Sequence, residues 1–172
     1  MTTPTVPTLV TWYLEMSRRG EFIPSFVRMP EAVVKNLNPI DPDFYRTLYK
    51  GVGENYTWRD RLEMNDEELT AVLARADIHV LYIGEEWVGY VELIKSRATV
   101  SVEYFGLREE YQGRGLGKHL LSYGLARAWD MGAERIIVHT CNLDGTYALD
   151  NYKKRGFKVV RETEEPMPSE YT

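Results

Sequence analysis

A glycine-rich turn carries the residues best suited to chemistry in this sequence. Residues 111–118 read YQGRGLGK, follow an apolar run and precede a long amphipathic segment. Glycines let a backbone approach a ligand closely, and the first N–H groups of a helix have no carbonyl partners of their own. Arg114 and Lys118 add positive charge at the same place. The turn therefore predicts a pyrophosphate site at a helix N-terminus.

The spacing of the glycines excludes two common phosphate-binding motifs. A Walker loop requires Ser or Thr after its lysine, but His119 follows Lys118. A dinucleotide fingerprint that starts at Gly113 requires glycine at Lys118, and one that starts two residues later requires it at Leu120. The pattern that remains is Q/R-x-x-G-x-G/A, which is filled by Gln112, Gly115 and Gly117.

This pattern resembles the motif with which the GNAT superfamily of N-acetyltransferases binds the pyrophosphate of acetyl-CoA. Residues 107–117, LREEYQGRGLG, look like the family's strand-to-helix run. Residues 147–157, YALDNYKKRGF, look like its second motif, A-x-x-x-Y-x-x-x-G-F. The two stretches occur in the expected order, separated by a helix and a strand. The likeness covers roughly residues 80–160, whereas residues 1–75 match only in the order of helices and strands.

The resemblance implies transfer of an acetyl group from acetyl-CoA, as a co-substrate, to an amine by direct attack on the thioester, without a metal. Tyr152 falls where the family has the residue that protonates the departing thiolate. The alternatives for Tyr152 are this role and simple packing under the CoA tail. The alternative for the whole chain is a catalytically silent CoA-binding module with a regulatory or interaction role.

Two carboxylates are candidates for the base that takes a proton from the acceptor ammonium. Glu103 lies on the strand that leads to the glycine turn, and it shares a face with Ser101 and Phe105 if that strand is regular. Glu92, on the neighbouring strand, is the second candidate, and some relatives use only a chain of water molecules. If both carboxylates point into one cleft, their repulsion raises the pKa of one of them.

The resemblance also implies which residues hold the donor. In the family, a strand diverges from its neighbour beside residues equivalent to 105–107, where backbone groups bind the thioester and the pantetheine arm, and Gly106 suits a bulge there. The family often has asparagine where Gly145 stands here, so Asn142 or Asn151 is a substitute. The predicted donor contacts are Phe105, Gly106, Leu107, Gln112, Gly113, Arg114, Gly115, Leu116, Gly117, Lys118, Asn142 and Asn151.

The elements that position these residues are predicted from hydrophobic periodicity. Alternating or β-branched runs predict strands at 6–14, 22–27, 78–83, 87–94, 99–107, 135–140 and 157–161. Helical spacing and capping residues predict helices at 41–51, 65–75, 115–131 and 147–155. A strand–helix–strand passage requires a parallel crossover, so the fold class is α/β of the α+β type. We expect a GNAT-like mixed, mostly antiparallel central sheet flanked by helices.

Length and composition favour one domain over residues 1–172. We divide it into an acceptor-side part (1–75), an acetyl-CoA-binding core (76–161) and a C-terminal tail (162–172). The chain is 44% hydrophobic and 27% charged, and it can bury one core without disulfides. The aromatics of the acceptor-side part that could line an acceptor pocket are Tyr45, Tyr49, Tyr56 and Trp58.

Charge and sequence content exclude several other classes. The net charge of −5 disfavours a nucleic-acid partner and mildly favours a small-molecule or peptide amine as acceptor. No apolar stretch approaches ~18 residues and the start MTTPTVPT has no signal-like core, so we expect a cytoplasmic protein without a membrane partner. Cys141 is the single cysteine, and the three histidines lack ligand spacing, so no metal is expected. Exposed strand edges leave a homodimer open.

Overall fold

The computed structural model of the chain describes residues 7–145 and 147–171. The strands of this part are β1 (Thr8–Met16), β2 (Ala32–Asn36), β3 (Ala76–Ile83), β4 (Glu86–Ser96), β5 (Thr99–Leu107), β6 (Arg135–Cys141) and β7 (Lys158–Pro166). Its α-helices are α1 (Pro42–Gly53), α2 (Asp66–Leu73), α3 (Leu116–Asp130) and α4 (Ala148–Lys154). None of these helices combines the length and apolar character needed to cross a bilayer.

The seven strands form one sheet in the order β2-β3-β4-β5-β6-β1-β7. Only β5 and β6 run parallel, joined by the crossover through α3, and every other neighbouring pair in the described sheet is antiparallel. The prediction of a mixed, mostly antiparallel sheet flanked by helices is therefore confirmed. Because β1 lies between β6 and β7, the first and the last strand of the described chain are neighbours in the sheet.

Two hydrophobic cores fill the space between the sheet and its helices. On one face, α3 packs on the central strands through a row of leucines, and Tyr152 of α4 joins the same core. On the other face, α1 and α2 bury Tyr45, Tyr49 and Leu69 with residues of β3 and β4. Both helix starts are capped as predicted, since Asp41 accepts a hydrogen bond from the Phe44 N–H and Asn65 accepts one from the Glu68 N–H.

The extended stretch predicted at 22–27 is not a strand. It is a loop that crosses α3, where the Ser25 N–H donates to the Ser122 hydroxyl at 2.8 Å and the Val27 N–H donates to His119 Nδ1 at 3.2 Å. The second strand is β2 at Ala32–Asn36 instead, which pairs with β3 at the edge of the sheet. Phe22 and Val27 of the loop pack on the α3 core, whereas Ile23 and Phe26 are more than half exposed. Local periodicity cannot distinguish packing on a helix from packing in a sheet.

A bulge at Glu103 changes the side-chain alternation of β5. Glu92 of β4 pairs with Tyr104 and the next residue, Leu93, pairs with Val102, so Glu103 is the extra residue. Val102 and Phe105 consequently both pack on the α3 core although they are three residues apart. The assumption of a regular strand was wrong, because Ser101 and Phe105 lie on opposite faces.

The predicted bulge at Gly106 was also misplaced. Gly106 pairs regularly with Tyr90 of β4, and its backbone is not in the left-handed region. A Cβ there would stand 2.5 Å from Cγ1 of Val52 on α1. Glycine is required at this position because α1 packs closely against the strand.

Candidate active site

A wedge-shaped cleft opens where β5 and β6 separate. The two strands pair only from Thr99 with Arg135 to Val102 with Val138. Beyond that point β5 stays on β4, while β6 stays on β1 up to Cys141. The separation beside residues 105–107 is thus present, and it leaves the backbone of this stretch without a strand partner on its β6 side. A cavity of about 710 Å³ fills the wedge and continues to the glycine turn.

The glycine turn presents free backbone donors to this cavity. Gly113 and Gly115 adopt φ values of +80° and +78°, in the left-handed region that favours glycine. Gly115 directly precedes α3, and no side chain caps the helix there. The first N–H groups of α3 are therefore free of a side-chain acceptor, and Lys118 lines the same part of the cavity. This arrangement fits an anionic phosphate group.

The structure brings together most, but not all, of the residues predicted to hold the donor. Those that line the cavity are Phe105, Gly106, Leu107, Gln112, Gly113, Gly115, Gly117, Lys118 and Asn151. Arg114 instead lies over the ring of Tyr111, and Leu116 is fully buried in the α3 core.

The two candidate asparagines occupy different places. Asn142 is held by β1, where its Oδ1 accepts from the Val10 N–H at 3.1 Å and its Nδ2 donates to the Thr8 carbonyl at 2.8 Å. It does not line the cavity. Asn151 does, and its Nδ2 lies 3.9 Å from the position of a Cβ on Gly117. Of the two, Asn151 is placed to reach a ligand bound at the glycine turn.

Tyr152 lies in the wedge with only 5% of its surface exposed. Its ring packs edge-on against Phe105 and Phe157, with centroid distances of 6.1 and 5.9 Å. Within the described part of the chain, nothing hydrogen-bonds its hydroxyl, which faces the cavity. Burial raises the pKa of Tyr152 well above its ordinary value, and the charge of Asp144 adds to the effect. The phenol is therefore protonated at neutral pH and able to donate.

The two candidate bases have different surroundings. Glu103 lines the cavity and is partly exposed. Glu92 is completely buried and does not line it. The Glu92 carboxylate accepts from the Tyr45 hydroxyl at 2.5 Å and from Arg61 Nη2 at 2.8 Å. The two carboxylates therefore do not share the cleft, one of the arrangements that the sequence left open.

The pKa of Glu92 is raised mainly by burial. The Arg61 charge and the hydrogen bonds from Arg61 and Tyr45 act in the opposite direction, and the charge of Glu103 contributes a smaller increase. Repulsion between the carboxylates is thus present, but desolvation is the larger cause.

Of the aromatics expected at an acceptor pocket, Tyr49, Tyr56 and Trp58 line the cavity, whereas Tyr45 is fully buried. The polar contacts of the segment that joins α1 to α2 were not predicted. Its Tyr56 hydroxyl accepts a hydrogen bond from Gln112 Nε2 at 2.7 Å, and Trp58 Nε1 donates to Asp144 Oδ1 at 3.3 Å. Arg61, from the same segment, lines the cavity beside Tyr104. Neither Arg61 nor Asp144 carries a local sequence signal, because their importance depends on partners more than 30 residues away.

Metal ligands are not grouped in the described residues. Among residues 7–145 and 147–171, no three His, Cys, Asp or Glu side chains are placed to hold an ion. Cys141 lines the cavity, and burial raises the pKa of its thiol, with the charge of Asp144 adding to the increase. A thiol with a raised pKa is a poor nucleophile at neutral pH.

Comparison with known families and sequences gives a consistent result. The profile described as "Acetyltransferase (GNAT) family" matches residues 40–157, more than half of the chain. A mycothiol acetyltransferase of Corynebacterium efficiens is 32% identical over 102 residues, which are 59% of this chain and 34% of that protein. YvbK of Bacillus subtilis, an uncharacterized N-acetyltransferase, is 31% identical over 88 residues, 51% of this chain and 56% of that protein. The chain thus matches only part of the length of these relatives.

Solved structures share the fold. A GCN5-related N-acetyltransferase from Sphaerobacter thermophilus superposes with a TM-score of 0.67 at 15% identity, covering 91% of this chain and 50% of that one. A Bacillus subtilis acetyltransferase in complex with CoA gives a TM-score of 0.58 at 23% identity, covering 74% of this chain and 76% of that one.

Proposed function

Because the chain belongs to the GNAT acetyltransferase family, we propose that it transfers the acetyl group of acetyl-CoA to an amine by direct attack on the thioester. The observation that carries this proposal is the cleft between β5 and β6. One continuous cavity joins the glycine turn to Tyr152 and Glu103. A donor held at the turn can therefore extend along the unpaired edge of β5 to the residues that would handle protons.

The donor site fits CoA on the chemistry of its own residues. The free N–H groups at the start of α3 and the Lys118 ammonium would hold the pyrophosphate. The backbone of residues 105–107 has no strand partner on its β6 side and can accept and donate along the pantetheine arm, as an added strand would. The Leu107 carbonyl also accepts a long hydrogen bond from Gln112 Nε2 at 3.4 Å. Acetyl-CoA supplies an activated acetyl group as a thioester, so the protein needs no covalent intermediate.

Two side chains would accept and donate the protons of the reaction. Glu103 accepts a proton from the bound ammonium, which frees the lone pair of the amine for attack on the thioester carbonyl. A C–N bond forms and the C–S bond breaks. Tyr152, whose raised pKa keeps the phenol protonated at neutral pH, donates its proton to the departing thiolate. The attacking nitrogen loses its second proton, which restores the phenol of Tyr152, and Glu103 releases the first proton to solvent. Glu92, whose two oxygens are already engaged, would position Arg61 at the cavity wall.

The acceptor end of the cavity favours a protonated amine. It is lined by the aromatic rings of Tyr49, Trp58 and Tyr104, by the carboxylates of Asp60 and Glu103, and by Arg59 and Arg61. Arg61 is paired with the buried Glu92, and Arg59 donates to the Glu170 carbonyl. Aromatic faces and carboxylates both attract an ammonium group. This part of the site supports an amine as the acceptor class. The name of the corynebacterial relative does not narrow the class further, because the chain spans only 34% of that protein.

The test is a screen of amines for acceptor-dependent release of CoA thiol. The wild-type chain should release thiol with at least one amine, and the product should carry one acetyl group by mass spectrometry. Reactions without acceptor correct for the thiol of Cys141 and for hydrolysis. Binding of acetyl-CoA without turnover on any amine would instead favour the silent CoA-binding module.

A further inference from the structure

Arg155 is a buried charge without a counterion in the described part of the chain. The residue is only 7% exposed. Its Nε and Nη1 atoms are inaccessible to solvent, and neither has a hydrogen-bond partner within residues 7–145 and 147–171. The other buried arginine of the described residues, Arg61, is paired with Glu92 at 2.8 Å. Burying an unpaired charge is unfavourable, so the buried Arg155 guanidinium indicates a site where an anionic ligand can bind.

The position of Arg155 places this charge in the donor site. Arg155 lines the same cavity as the glycine turn and follows α4 directly. Asn151 lies four residues earlier, on the same face of the helix. The distance from Asn151 to Gly117 shows that this face lies against the first turn of α3. Arg155 therefore lines the cavity one helical turn beyond Asn151, the residue of α4 that approaches the first turn of α3.

The backbone that carries Arg155 is held in place by the loop after β1. The Ile23 N–H donates to the Arg155 carbonyl at 2.9 Å. The next residue, Gly156, has φ of +115°, and a Cβ there would stand 2.0 Å from the carbonyl oxygen of Glu21. Only glycine fits this close approach. The side chain of Arg155 therefore starts from a fixed point at the cavity wall.

We propose that Arg155 binds a phosphate group of CoA, and this inference rests on the proposed function. A planar guanidinium presents a fork of donors that matches a phosphate, and such charge-assisted bonds are about twice as strong as neutral ones. Lys118 and the N-terminus of α3 bring further positive potential to the same region. Burial lowers the pKa of Arg155, but an arginine remains charged at neutral pH. The bound phosphate supplies the counterion that the described residues lack.

The test compares CoA binding by calorimetry in three variants and the wild type. Arg155→Leu should weaken the affinity for CoA roughly 10- to 100-fold, the range expected for a lost hydrogen bond to a charged group. Arg155→Lys should retain an intermediate affinity. Lys153→Leu removes the same charge from an exposed position that does not line the cavity, and it should change the affinity less than about threefold. The unliganded Arg155→Leu protein should be no less stable, because an apolar side chain replaces an unpaired charge.

Truncated ligands identify which phosphate is involved. If the partner is the 3′-phosphate, the defect of Arg155→Leu disappears with dephospho-CoA. If it is the pyrophosphate, the defect persists with dephospho-CoA and disappears with pantetheine. Either result supports the proposal. It is overturned if Arg155→Leu binds CoA like the wild type, or if the defect persists with pantetheine. A wild-type chain that binds no CoA overturns both this inference and the proposed function.

Discussion

Val102 and Val138 form the last pair between β5 and β6, and the candidate active-site cleft begins directly beyond them. Up to this pair the two strands share a parallel ladder, and after it each strand keeps only its antiparallel neighbour. The bulge at Glu103 follows immediately on β5. The cleft therefore opens where the pairing of β5 with β6 ends. The adjacent bulge changes the direction of the Glu103 carboxylate, which we propose as the base.

Replacing Tyr152 with Phe should remove the proton donor and leave the donor site intact. We expect turnover to fall on the order of 10²-fold or more, with the affinity for acetyl-CoA retained, since the ring contacts with Phe105 and Phe157 remain. The measurements are steady-state thiol release and calorimetric binding. Tyr123→Phe, on the outer part of α3, serves as the control and should keep full turnover. Unchanged turnover in Tyr152→Phe would remove this residue from the mechanism.

Replacing Glu103 with Gln should lower turnover without unfolding the protein. The Glu103 side chain is partly exposed and makes no hydrogen bond to another described residue, so the fold does not depend on it. We expect a loss of about 10²- to 10⁴-fold at neutral pH, because Gln cannot accept the ammonium proton. The rate should recover in part as the pH is raised and more of the acceptor becomes neutral. A pH–rate profile parallel to that of the wild type would argue for a water chain.

Replacing Glu92 with Ala should instead act on stability. The change leaves Arg61 buried without its carboxylate and leaves the Tyr45 hydroxyl without its acceptor. Breaking a buried ion pair from one side costs about 3–5 kcal/mol of unfolding free energy. Urea denaturation measures this loss. The double variant with Arg61→Leu should recover part of the lost stability. No recovery would show that the loss does not come from the unpaired charge of Arg61.

Some features of the fold and of the candidate site follow from local sequence, and others depend on residues that are far apart in the chain. The glycine turn and α3 are predictable, because Gly113, Gly115 and the helical spacing carry a local signal. The bulge at Glu103 depends on the register between β4 and β5, which no window of one strand contains. The charge partners of Arg61 and the isolation of Arg155 likewise depend on distant parts of the chain. The strand β2 was missed because it is short, lies at the sheet edge and exposes Val33.

The network around Asp77 predicts a dependence of stability on pH. Burial alone would raise the pKa of Asp77, but donors from His79, Asn38 and Arg127 outweigh it and lower the pKa to about 2, against 3.8 for the free side chain. A group with a lowered folded pKa stabilises the protein above its unfolded pKa, and that contribution is lost as the pH falls from about 4 to 2. The shift corresponds to about 2 kcal/mol.

Urea denaturation of the wild type and Asp77→Asn checks this prediction. The variant should be less stable at pH 7 and at pH 5, and the difference should shrink as the pH falls towards 2.5. Asp43→Asn is the control, since Asp43 is exposed and its pair with Arg46 is screened by water. It should change stability little at any pH. If the difference in unfolding free energy between the wild type and Asp77→Asn stays constant over this pH range, the stability does not depend on the ionisation of Asp77.

The most direct test of the account is thermal unfolding with and without saturating acetyl-CoA, with ATP and NAD as comparison ligands. A ligand at about 100 times its dissociation constant adds about 2.7 kcal/mol of stability. For a domain of this size, that corresponds to a shift on the order of 5–10 °C. We expect this shift with acetyl-CoA and not with ATP or NAD. No shift with acetyl-CoA, or an equal shift with ATP or NAD, would contradict the assignment of the cleft as an acetyl-CoA site.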